Sequence, residues 1–374
     1  MTIAMTMTAY VARRFTEATL AMLAALTLLI SLFDFIELLR RAATRQDASF
    51  GIVASIAGLR LPFVMLQILP FAILLGGILA FWRLTRSSEL IVARAAGISA
   101  WGFLSGPVAV AMLFGILGTI GISPLSSAML SRAERLDNAY LRNSAGLSAL
   151  AGGRLWLRQS DRGLEPLGVA ILSGRPVTER DSRFSAEFIL TDVSIWRLSA
   201  EDKPLARIEA PRAQLLPGRW VLSDALVFNS ERVASPPQSI AFPTELTPDR
   251  IESSFATPDT LSFWALPGFI GVLEQAGFSA LRHRLHFQTL LSLPVLAAAM
   301  ALLAAGFSMR SSRRGGVAQM IGAGVSAGFA LFVLDKITNE FGESGALPVG
   351  LAAWAPTLAG LLLALALLLH LEDG

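Results

Sequence analysis

The chain has no cysteine, two lysines (Lys203 and Lys336) and three histidines (His283, His286 and His370) in 374 residues. Without cysteine there is no disulfide, thiolate metal site or cysteine nucleophile, and redox chemistry says nothing about compartment. Three scattered histidines make a His-rich metal centre a poor expectation, and we read no metal site. Neither lysine follows a GxxxxGK[ST] pattern, so no phosphate-binding loop is present for ATP; HExxH and GxSxG are also absent, and no catalytic residue is assigned. Charge is scarce too. Only 16% of residues are charged, against roughly 25% in a soluble domain. Hydrophobic residues make up 53% and the mean hydropathy is +0.58. These values describe a polytopic membrane protein. The pI near 9.9 reflects arginines spread through loops and an ectodomain, which is not a nucleic-acid footprint.

Six apolar runs are long enough, or nearly so, to cross a bilayer. They are Ala18 to Phe33, Leu61 to Trp82, Ala95 to Leu130, Phe287 to Met309, Gly315 to Leu334 and Ala346 to Leu369. The first is followed by Asp34, Glu37 and Arg40 rather than a small-residue cleavage site, so it reads as a span and not a signal peptide. Placing both termini in the cytoplasm puts eight basic residues on the inner loops (Arg13, Arg14, Arg83, Arg86, Arg94, Arg310, Arg313 and Arg314). It leaves five on the short outer ones (Arg40, Arg41, Arg45, Arg60 and Lys336). That excess favours the orientation. The four outer arginines between the first two spans defy the rule and require acidic neighbours or an anionic ligand.

Between the third and fourth spans the polymer changes. Ser131 to Ser262 carries 33 charged residues in 132, a soluble-domain density, and its pattern is β. Alternation appears in Arg154 to Arg158 and in Ala206 to Ala210; Pro217-Gly218 marks a turn, after which Trp220, Leu222, Leu226 and Phe228 line one face. Phe188 and Leu190 share a parity that shifts at Val193 and Ile195, so a β-bulge is expected at Thr191-Asp192. A sandwich, barrel or jelly roll follows, then a short helix around Phe269 to Glu274. The expected organisation is residues 1–130 with three spans, 131–262 as the β domain and 263–374 with three more.

The polar island between the second and third spans, Trp82 to Trp101, has helix signals. Ser87 or Ser88 can cap a helix, Glu89 sits in its first turn and Gly97 can end it. On that helix, expected over about 87–97, Glu89, Val92, Ala93 and Ala96 share one face. A carboxylate beside small side chains suits docking against another protein. Elsewhere, Asp34 with Glu37 and Asp335 with Lys336 read as interfacial groups, Glu37 bridging to Arg41 four residues on.

Three spans, a β domain of this size and three more spans form a layout that resembles the LptF/LptG permease family of the lipopolysaccharide exporter. RSSELIVARAAG (Arg86 to Gly97) resembles that family's coupling segment, LTPDR (Leu246 to Arg250) its exit from the β domain, and FALFVLDKI (Phe329 to Ile337) its fifth span. The resemblance covers nearly the whole chain, is strongest outside the β domain and lies nearer the LptG branch. It implies a six-helix (3+3) membrane protein with an inserted, jelly-roll-like all-β periplasmic domain, in the bacterial inner membrane. The implied function is a permease subunit that extracts lipopolysaccharide from the periplasmic leaflet and passes it to a β bridge. Implied partners are an LptB-type ATPase dimer, a paralogous LptF-type permease, and LptC-type and LptA-type bridge proteins. The chain itself holds no cofactor; ATP is used by the partner. Glu89 would contact the ATPase, with Arg86, Ser88, Leu90, Val92, Ala93 and Ala96 around it. Lipid A phosphates would be met by Arg40, Arg41, Arg45 and Arg60, with Arg132, Arg135, Arg282 and Arg284 at a similar height. Asp34 departs from members that carry a basic residue there. Two other readings stay open: a proton-coupled transporter using Asp34 or Asp335, and a membrane scaffold displaying a β domain.

Overall fold

A computed structural model of the chain describes residues 2–43, 49–87, 89, 100–141, 148–151, 154–161, 168–177, 188–199, 203–228, 235–244, 246, 251, 257–275, 279–308 and 317–372. It divides into a helical unit, Met1–Arg142 with Pro258–Pro267 and Leu281–Gly374, and a β unit, Asn143–Thr257 with Gly268–Ala280.

The helices are α1 (Thr2–Ala42), α2 (Phe50–Arg86), α3, α4 (Leu266–Gln275), α5 (Leu281–Ser308), α6 (Val317–Glu343) and α7 (Val349–Glu372). Helix α3 starts as Ala100–Leu117, passes through a π turn at Gly118–Ile122, continues as Ser123–Leu136 and ends in a second π turn at Asp137–Leu141. Among the described residues, all of these except α4 are long and apolar enough to cross a membrane. Each helix overshoots its apolar run, because a run ends at the first charge while the backbone ladder continues through polar residues. In α3 the overshoot continues through Ser131, where the charge density rises, to Leu141.

Helix α5 is the most enclosed span. Ala297, Ala299, Ala301, Ala304 and Ala305 are all buried on it, and small residues let helix backbones approach where no hydrophobic effect drives association. The closest approach is to α3. A Cβ built on Gly115 would lie 2.4 Å from Pro294 Cα, so only glycine fits there. Pro294 has no N–H to offer the carbonyl four residues back, and the Thr119 hydroxyl donates to that carbonyl, Leu290 O, at 2.8 Å. The two helices thus fit by shape at Gly115 and by polarity one turn on. Helices α1 and α6 are the least enclosed, exposing Leu28, Leu32 and Phe33 on one, and Phe329, Phe332 and Phe341 on the other.

The β unit is one antiparallel sheet of seven described strands in the order β1-β2-β3-β4-β5-β6-β7. They are β1 (Ser148–Ala151), β2 (Arg154–Ser160), β3 (Val169–Val177), β4 (Phe188–Leu198), β5 (Pro204–Leu216), β6 (Arg219–Phe228) and β7 (Gln238–Pro243). Every described strand pairs with its chain neighbour, so the described sheet follows chain order, β5 passing to β6 through the Pro217-Gly218 turn with Gly218 at φ +79°. One face buries Leu157, Leu172, Leu190, Ile195, Trp220 and Phe242, closed by Leu273 of α4.

A crease crosses this sheet. Ser173 pairs with Ser194 but Arg175 with Thr191, so β4 carries one extra residue at the expected bulge, and Asp192 there has φ 54°. A second bulge lies on β6, where Leu222 pairs with Ile240 and Ala225 with Gln238, with Asp224 at φ 52°. It corrects the expected inward face of β6. Trp220 and Leu222 do point inward, but beyond Asp224 the parity flips, and Ala225 is buried while Val227 packs on the core in place of Leu226 and Phe228. Aspartate tolerates the left-handed region better than most side chains, which suits both positions.

Candidate functional site

Two polar clusters stand at opposite ends of α1 and α2. At one end α2 closes on Arg83 and Arg86, whose charges complement the helix C-terminus. Arg86 lies over the Trp82 ring at 5.6 Å. Ser87 is the C-cap of α2, its N–H donating to Arg83 O at 3.0 Å. It therefore ends the preceding helix, a role the sequence reading gave no weight. Its hydroxyl donates to Glu89 Oε1 at 2.8 Å. The Glu89 carboxylate is thereby oriented at the edge of a cleft of about 390 Å³ whose other polar walls are Tyr10, Arg14, Glu17 and Arg83. The remaining coupling candidates, Ser88, Leu90, Val92, Ala93 and Ala96, lie outside the described residues, as does most of the helix expected over 87–97.

At the other end lie the arginines that break the charge rule. Glu37 accepts from Arg40 Nε at 2.8 Å and from Arg41 Nε at 3.0 Å, so the expected bridge to Arg41 is joined by one to Arg40. Arg60 reaches across helices. Its guanidinium is 3.1 Å from Asp34 on α1 and 3.6 Å from Asp137 at the end of α3, and the Asp137 side chain is only 4% exposed. Three spans are thus tied by one guanidinium between two carboxylates. Sequence reasoning missed this cluster, since Asp34, Arg60 and Asp137 share no local pattern. The available signal was the coincidence of an unexplained arginine near one span's start with acids near the ends of two others.

The other lipid-capture candidates are dispersed. Arg132 and Arg135 are exposed on α3, Arg135 donating to Ser131 Oγ at 3.2 Å. Arg282 pairs with Glu343 at 3.0 Å, Arg284 is exposed on α5, and Arg45 lies outside the described residues. His286 Nδ1 is 3.4 Å from Asp259, and Lys336 sits over the Phe332 ring at 5.5 Å. Among the described residues no group of three metal-binding side chains occurs.

The Arg60 cluster has a measurable weight. Removing one member of a buried ion pair leaves the others uncompensated and costs about 3 kcal/mol or more. Arg60→Gln is therefore expected to lower the thermal midpoint of the purified protein in detergent. Asp34→Asn added to it should recover part of the loss, since one of the two orphaned carboxylates is then gone. If the double variant is no more stable than Arg60→Gln alone, the two residues are not energetically coupled.

The family described as lipopolysaccharide export system permease LptF/LptG matches residues 9–370. The chain is 24% identical over 367 residues to lipopolysaccharide export system permease protein LptG of Escherichia coli strain K12, covering 94% of each chain. It is 23% identical over 360 residues to the protein of the same name from Haemophilus influenzae, covering 94% of this chain and 95% of the relative.

Proposed function

Since the chain belongs to the LptF/LptG family of lipopolysaccharide export permeases, we propose that it is the LptG-like one of two membrane subunits in an ATP-driven lipopolysaccharide exporter. It takes the lipid from the periplasmic leaflet of the inner membrane and passes it to a periplasmic β bridge of LptC-type and LptA-type proteins. The observation that carries the reading is the family match over nearly the whole chain. The architecture supports it, with three spans, a β unit and three more.

Each part then has a task. The sequence has no nucleotide-binding motif, so energy arrives from an LptB-type ATPase dimer on the cytoplasmic side, through Glu89 and its segment. Both termini lie in the cytoplasm and the β unit in the periplasm, the arrangement favoured by the loop arginines. The exposed apolar faces of α1 and α6, such as those with Phe33 and Phe329, meet lipid or the paralogous LptF-type permease. Arginines at the α1, α3 and α5 ends provide counter-charge to lipid A phosphates. Arg60, held by two carboxylates, has the least of that charge to spare.

The test is made on the tagged full-length chain in a lipopolysaccharide-producing bacterium, with photo-crosslinking residues at Arg40, Arg45, Arg132, Arg135, Arg282 and Arg284. A cytoplasmic ATPase should copurify, and lipopolysaccharide should be captured at several of these positions. Recovery of the chain alone, with no ATPase, would overturn the reading. Capture of lipid only at positions within the spans would remove the arginine ring from it.

A further inference from the structure

The cleft beside the end of α2 brings Glu89 together with groups of α1 that the coupling role does not use. Its floor is small and apolar, formed by Ala18, Ala21, Leu79 and Ala80. Its rim carries two guanidinium groups (Arg14 and Arg83), two carboxylates (Glu17 and Glu89) and the Tyr10 phenol. The rim is held in place. Arg14 lies over the Tyr10 ring at 5.4 Å and donates to its hydroxyl at 3.3 Å, while Glu17 accepts from Arg13 at 2.9 Å. Ser87 fixes Glu89 at 2.8 Å. The volume, about 390 Å³, falls in the range of small-ligand sites, roughly 300–1,000 Å³. Beyond the floor α1 exposes Leu20, so the cleft opens toward apolar surface on a helix that crosses the membrane.

We propose that this cleft binds the headgroup of a zwitterionic, amine-bearing phospholipid such as phosphatidylethanolamine. Its phosphate is matched by Arg14 and Arg83, its ammonium by Glu17 and Glu89, and its acyl chains run over Ala18, Ala21 and Leu79. The choice of ligand rests on charge balance. Two cations and two anions on one rim complement a headgroup that carries one charge of each sign. Glu17 is already paired with Arg13 at 2.9 Å and with Arg14 at 3.5 Å, so an anionic headgroup would bring its phosphate to the arginines and leave the Glu89 carboxylate facing negative charge. A free phosphate would offer nothing to the carboxylates or to the alanine floor. The proposal shares Glu89 with the ATPase contact proposed above and otherwise requires only that α1 and α2 cross a membrane; a loss of lipid retention at unchanged ATPase content separates the two.

The experiment uses the full-length chain with whatever subunits copurify, placed in detergent with defined lipids and read by native mass spectrometry. Phosphatidylethanolamine should be retained over phosphatidylglycerol. The Arg14→Gln/Arg83→Gln variant should lose this retention by about a hundredfold, roughly tenfold for each charge-assisted hydrogen bond removed. Ala21→Trp should do the same without touching any charge, since Ala21 is exposed on the cleft side of α1 and a bulky side chain there fills the space. Excess free phosphoethanolamine or inorganic phosphate should not displace the lipid, because neither carries acyl chains. Equal retention of the two lipids, unchanged retention in both variants, or displacement by either small phosphate would overturn the proposal.

Discussion

Glu89→Lys is expected to leave the protein inserted in the membrane while stripping the partner ATPase from it and stopping lipid export, with Glu89→Ala milder. The segment it begins is short. A helix of about nine residues is roughly 13 Å long, enough to fill a groove on a partner and too short to be stable alone in water. In the proposed docking, the carboxylate entering an interface would need a basic or hydrogen-bonding partner there. Removing the carboxylate would leave that partner unpaired; reversing its sign would add repulsion on the face that the sequence expects Glu89 to share with Val92, Ala93 and Ala96. Glu89 accepts a short-range bond from Ser87, at 2.8 Å, and neither substitution is expected to disturb the packed spans. The measurement is ATPase content and transport rate of the purified assembly at equal permease yield. A Glu89→Lys assembly with full ATPase content and full transport would reduce this segment to a loop that keeps its charges inside.

Gly115→Ala should damage the helical unit itself. The added Cβ would stand 2.4 Å from Pro294 Cα, 2.9 Å from Pro294 N and 3.0 Å from Leu293 O. All three are backbone atoms, so no side-chain rotation relieves the clash and α3 must move away from α5. Overpacking of this kind costs about 1–3 kcal/mol, occasionally more. The displacement also strains the 2.8 Å bond from Thr119 to Leu290 O, whose loss would orphan a buried carbonyl at a further cost of about 1–3 kcal/mol. A large fall in thermal midpoint and in yield is expected. Gly121→Ala is the control. It lies on the same helix, where an added Cβ meets nothing within 4 Å, and should be close to neutral. Equal behaviour of the two variants would mean that the close approach at Pro294 does not hold the helices together.

Several features were legible before any coordinates because they are written locally along the chain. The bulge at Thr191-Asp192 is one. Phe188 and Leu190 on one side and Val193 and Ile195 on the other leave a visible break in parity. The equivalent bulge at Asp224 was invisible, because the residues after it, Ala225, Leu226, Val227 and Phe228, are apolar at both parities and either face looks buried. At the coupling end, Glu89 stood out as a carboxylate in a polar island with helix signals. The cleft behind it did not, since Tyr10 and Arg14 come from a different span.

The sequence alone determined that this is a six-span membrane protein with a β insertion between spans three and four, and which family it resembles. Hydropathy and alternation suffice for that, because each residue's transfer free energy and each strand's period are properties of the residue and its near neighbours. The tertiary structure decided which distant groups meet: Arg60 between Asp34 and Asp137, Gly115 against Pro294, the sequential strand order, and the two arginines and two glutamates around one cleft. Those meetings depend on the rotation and depth at which helices pack. A shift of one residue turns a helical side chain by 100°, while hydropathy is almost unchanged. Apolar composition places a helix in the bilayer, but only close packing against its neighbours selects its rotation, and with it the partner each buried charge finds.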